Sequence, residues 1–125
     1  MAAPNIVNVT SIYGKTSSLS VVGTSASTLL SNASSSNKLM KVNSLTIPNI
    51  DGTNSATVTV TLRNAAGSTT WVHFCKTITV PPDTTLVLIS KDTSVYLEED
   101  RAIYVEASAS GDLQAICSYE EIDDA

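Results

Sequence analysis

Between Ala56 and Leu62 every second residue is apolar: Ala56, Val58, Val60 and Leu62 alternate with Thr57, Thr59 and Thr61. A period of two marks a half-buried β-strand with one face in a core and a threonine row on the other. β-Branched valine and threonine suit that pleated surface. Asn64–Ser68 (NAAGS) then closes a hairpin, and Thr70 to Val80 reads as its return strand. Val72, Phe74, Ile78 and Val80 share one face there, and Trp71, His73, Cys75 and Thr77 the other.

The rest of the chain punctuates itself in short pieces. Lys38 to Ile47 is a strand whose apolar face switches midway, from Met40 and Val42 to Leu45 and Ile47, which predicts a β-bulge or bend near Asn43. Asn49–Ser55 is dense in turn formers around Asp51-Gly52, and Pro81-Pro82-Asp83 forces a corner. Leu86–Ile89 and Val95–Leu97 are short strands, with turns at Lys91–Ser94 and Glu98–Arg101. Ala102–Ala107 follows with Ile103 and Val105 inward. Leu113–Ile122 is the last strand, with Leu113, Ala115, Cys117 and Tyr119 inward.

Near the start, Ile6 to Ile12 reads as an extended arm between Pro4 and Gly14, apolar on both faces. Thr16 to Asn37 is small and polar, with apolar pieces at Leu19–Val22 and Leu29–Leu30. Two short strands are expected there, a helical turn at Thr28–Leu30 being the alternative. Eight or nine short strands, with turns about every 8–12 residues, predict an all-β fold: a single-domain antiparallel β-sandwich, jelly-roll or Ig-like. The expected division is an arm over 1–14 and a sandwich over 15–125 that ends in an acidic tail.

Charge changes the picture most. Residues 1–50 hold no acid, only Lys15, Lys38 and Lys41, whereas residues 97–125 hold nine acids against Arg101. The net charge is −5 and only 15% of residues are charged. An acidic balance argues against a phosphate-backbone binder. The basic and acidic ends are expected to meet between subunits, in an assembly that weakens with salt. No signal peptide or membrane span is read, so folding in the cytoplasm with Cys75 and Cys117 as free thiols is the expectation.

Candidate chemistry is thin. His73 and Cys75 lack the further pair a zinc site needs. Glu98, Glu99 and Asp100 lack the spacing of a calcium loop and read as a solvated turn. No nucleophile has both a base and an orienting acid, so no enzyme is expected and no cofactor or metal is assigned. Trp71, Tyr96, Tyr104 and Tyr119 fit either a sugar-stacking platform or interface anchors, the latter favoured. The candidate interface takes Ile6, Val7 and Val9 from the arm and Lys38 and Lys41 from the basic end. It takes Trp71 and His73 from the return strand, and Glu120, Glu121, Asp123 and Asp124 from the acidic end.

The segments APNIVNVTSIYGKT, KVNSLTIPNIDGTNSATVTVTL and VPPDTTLVLISKDTSVYLEEDRAIYVEASASGDLQAICSYEEI resemble small structural proteins of tailed phages, in particular those of marine cyanobacterial phages. The resemblance implies a virion component assembled in the host cytoplasm. It points first to a head decoration (cement) protein, with a neck, collar or tail accessory as runner-up. A carbohydrate-binding module for host attachment is the alternative of another class. The implied partners are further copies of the chain, as a trimer, and virion proteins such as the major capsid protein, without nucleic acid or membrane.

Overall fold

An alternating strand must bury its apolar face, and two sheets here bury theirs against each other. The computed structural model describes residues 5 to 124. The strands are β1 (Val9–Leu19), β2 (Ser27–Asn32), β3 (Lys38–Pro48), β4 (Ala56–Arg63), β5 (Thr70–Val80), β6 (Thr85–Ile89), β7 (Val95–Leu97), β8 (Arg101–Ala107) and β9 (Ala115–Asp124). One sheet runs β1-β9-β3-β6, with β7 also on β3; the other runs β2-β8-β4-β5. All pairings are antiparallel. A one-turn 3-10 helix, Lys91–Thr93, separates β6 from β7. Counted as one interrupted strand, they leave eight strands in two four-stranded sheets, and the chain changes sheet at nearly every step. That order is a jelly roll, which settles the choice against an Ig-like sandwich.

The core lies between the sheets. Leu45 and Ile47 of β3 and Leu97 of β7 meet Val58 and Val60 of β4 and Ile103 and Val105 of β8, all fully buried. Each such side chain contributes about 1.5–3 kcal/mol by leaving water. Two buried asparagines fasten the ends. Asn32 Nδ2 donates to the carbonyls of Lys38 and Leu97, at 2.8 and 3.0 Å. Asn49 Nδ2 donates to those of Asn54 and Val80, at 3.0 and 2.9 Å, and its Oδ1 accepts the Asp51 N–H. Each amide thus replaces backbone partners that the loops cannot supply.

The bulge expected in β3 falls at Asn43, where the register to β9 slips between Val42 and Ser44. It returns Leu45 and Ile47 to the core face. β5 departs from its expected alternation. Its eleven residues face the eight of β4, and three register shifts absorb the difference. Cys75 therefore lies opposite buried Val60, and His73 opposite Thr61 on the outer face. Val72, Ile78 and Trp71 stay 52%, 42% and 45% exposed, and of the four residues expected inward only Val80 is buried. Bulges rotate successive side chains out of register, so the period of two fails along this strand.

Part of the arm expected over 1–14 is described. Ile6 to Asn8 form a turn, in which the Asn5 side chain accepts the Val7 N–H at 3.0 Å. Residues 9–14 already belong to β1 and pair with β9. Residues 1–4 lie outside the described residues. Thr28–Leu30 lies in a strand, β2, as expected, and not in the alternative helical turn.

The β4–β5 hairpin depends on one glycine. Gly67 has φ +79°, and a Cβ added there would overlap the ring and hydroxyl of Tyr104. Gly67→Ala should lower the unfolding free energy by about 1–3 kcal/mol in urea titration. An equal loss on replacing Gly14, which has open space beside it, would argue against that cause.

Candidate functional site

The segregated charges meet inside one chain. β9 brings Glu120, Glu121, Asp123 and Asp124 from the acidic end, and it lies between β1 and β3, both drawn from the acid-free first fifty residues. Glu121 faces inward at the end of the sandwich. Its carboxylate pairs with Lys15 of β1 on one side and, at 3.1 Å, with Lys38 of β3 on the other. The Glu121 side chain is 8% exposed, while Lys15 and Lys38 remain 46% and 40% exposed. The Lys15 ammonium holds the Glu121 carboxyl below the usual range against the opposing effect of burial, and Lys38 adds to it. The hydrogen bond to Glu121 in turn raises the Lys15 pKa.

Nearby, the Asn43 amide donates to Glu120 Oε1 at 3.2 Å. Lys41 lies in register with Glu120 and Tyr96, Lys38 with Asp123, and Val9 with Asp124. Cross-strand neighbours stand about 5 Å apart, so the ladder sets lysines beside acids, and the ion pairs among the described residues are those of Glu121 with Lys15 and Lys38. The contact expected between subunits is, for Lys38 and Glu121, an intramolecular one.

The aromatic residues do not share one platform. Arg101 places its guanidinium carbon 4.1 Å from the centroid of the Trp71 ring, and Arg63 covers Tyr104 at 5.0 Å. Arg63 Nε also donates to Thr61 Oγ1 at 2.9 Å. Both stacked pairs belong to the second sheet. Tyr96 is on the first, opposite Lys41, and Tyr119 lies toward the core side of β9, where burial raises its phenol pKa. Cation–π stacking of this kind stiffens a surface and leaves the guanidinium edges free to donate. His73 is exposed on β5.

The remaining polar groups serve loops. Glu99 accepts the Asn37 N–H and Asp100 the Ala65 N–H, each at 3.2 Å, so the acidic turn after β7 clamps two neighbouring segments. The N–H groups of Thr53 and Asn54 hold the Asp51 carboxyl below its ordinary range. Cys75 and Cys117 are free thiols. Burial pushes the Cys117 thiol up to about 11 and raises Cys75 too, which keeps both unreactive. Among the described residues, no three His, Cys, Asp or Glu side chains gather as metal ligands. One shallow groove is lined by Thr57, Thr59, Thr77 and Glu106, a lone carboxylate among hydroxyls. Such a set has no base paired to a nucleophile.

The sequence reading overlooked an apolar surface. On the outer face of the first sheet, Ile12, Val87, Tyr96 and Ile116 are 55%, 61%, 49% and 43% exposed. Ile116 lies in register with Thr46, which itself faces Val87, so one row crosses β9, β3 and β6. The signal was available: with Ala115 and Cys117 inward, Ile116 has to point out. Ile6 and Val7, just before β1, are also exposed.

The Glu121 ladder gives a pH prediction. A depressed carboxyl pKa stabilises the fold above the ordinary glutamate value of 4.5, and the contribution is lost as pH falls through the folded value. Glu121→Gln should cost about 1 kcal/mol at neutral pH, since both lysines stay partly in water. Thermal melts across pH should show the gap to the parent protein closing in acid. A gap independent of pH would mean that charge is not its source.

No family model matches the chain, and no curated protein is similar to it. Among solved structures the chain is similar to a subunit of Bacillus endospore appendages, described as forming a novel family of disulfide-linked pili. The TM-score is 0.54 and the identity 13%, over 91% of this chain and 89% of that one. At that identity the likeness is one of fold.

Proposed function

We propose that this chain is a non-enzymatic structural subunit that assembles with copies of itself in a phage particle, first of all as a head decoration protein against the major capsid protein. The observation that carries the reading is where the apolar surface lies. The interior of the sandwich is filled, while Ile12, Val87, Tyr96 and Ile116 stand exposed on the outer face of the first sheet, among serine and threonine and beside Lys41 and Glu120. Exposed apolar surface marks contact sites more often than catalytic ones. The phage-like sequence segments supply the particle, and the assembly proposed for it is a homo-oligomer of this chain. A pilus subunit with the same kind of fold supports self-assembly as a use of this architecture. Disulfide linkage is not part of the proposal, because Cys117 is buried and Cys75 packs against the core.

The aromatics give the sugar-binding reading no particular support, since Trp71 and Tyr104 are each covered by an arginine. Quantitative mass spectrometry of purified virions tests the proposal. A ratio to the major capsid protein near one, one half or one third is expected. A few copies per particle would move the assignment to the neck or tail, and absence from the particle would overturn it.

A further inference from the structure

Every open sheet presents unpaired N–H and C=O groups along its edges, and soluble proteins blunt them. Three of the four edges here are blunted. β2 is six residues long and slips register between Thr28 and Leu30. β5 carries three register shifts. The β6–β7 edge is broken by the 3-10 turn. β1 carries the least of this: one register shift at its very start, between Val9 and Ser11. It is eleven residues long, holds register with β9 without interruption from Ser11 to Leu19, and contains no proline. Its one charge, Lys15, is drawn to Glu121. Among the described residues its backbone pairs with β9 alone.

We propose that β1 is the edge by which two copies join, β1 pairing antiparallel with β1 of a second copy about a two-fold axis at Gly14. This deepens the assembly reading above and rests on it. The strand is complementary to itself in that register. Gly14 meets Gly14, where nothing projects. Ile12 meets Thr16 on the outer face, and Tyr13 meets Lys15 on the inner one, so the lysines avoid each other and each faces an aromatic ring. A register shifted by two would set Lys15 against Lys15. The joined sheet would continue the apolar outer face from one copy into the next, in the isologous manner of most two-fold contacts.

Cross-linking and sedimentation test this together. Gly14→Cys should form a covalent dimer under mild oxidation, because its Cβ has open space and its partner is its own copy. Ser18→Cys, on the same strand but opposite Thr10 in that register, should not. Thr16→Lys should weaken association by about tenfold, read by analytical ultracentrifugation, with the circular dichroism of the parent. Thr79→Lys on β5 should change nothing. Parent oligomers that persist in Thr16→Lys, with no cross-link through Gly14→Cys, would overturn the β1 edge alone. A parent protein that stays monomeric at every concentration would overturn the assembly reading beneath it.

Discussion

The first sheet cannot close until its last strand arrives. β9 occupies the position between β1 and β3, so β1 reaches its sheet only through Ala115–Asp124, while β3 also pairs with β6 and β7. The sheet is complete only with this insertion. It sets the sandwich's depth through Ala115 and Cys117, and it brings the acid-rich end of the chain against lysines that precede it by some hundred positions. Closing such distant contacts is entropically slow, so the topology puts the decisive step late in folding. The paired charges around Glu121 act on that step, since they favour the one register in which both lysines reach a single carboxylate.

The uneven charge distribution has the same origin. A strand flanked on both sides does better when its neighbours carry the opposite sign, and like charges set opposite one another would be destabilising. Read along the sequence, the pattern looks like a molecule with two poles. Read across the sheet, it is a sandwich of signs, with the acidic strand in the middle.

Much of this was legible in the residues. The alternation of Ala56–Leu62 announced β4, the face switch around Asn43 announced a bulge, and the turn clusters announced the strand count. What stayed hidden was register. β5 has apolar residues at Val72, Phe74 and Ile78 that suggest one inward face, but three inserted residues turn the strand as it goes, and inserted residues carry no compositional signature. Asn32 and Asn49 look like ordinary loop formers, yet both are buried, because their worth lies in carbonyls that only the folded chain brings near. The pairing of Lys15 and Lys38 with Glu121 was hidden for the same reason: it depends on sheet order, which short-range patterns do not encode.

The bracketing of β9 has a geometric corollary at the chain ends. Val9 and Asp124 are cross-strand neighbours, so the two ends of the folded body leave it side by side at one pole, about 5 Å apart. A short loop would bridge them without disturbing a strand, and new termini could open in the turn between β4 and β5, at the same pole. Val9 and Asp124 both stand at that one pole, clear of the opposite pole where the turn containing Asp51 sits. The fold is thus already arranged as a one-sided display scaffold, with its attachment points gathered on a single end.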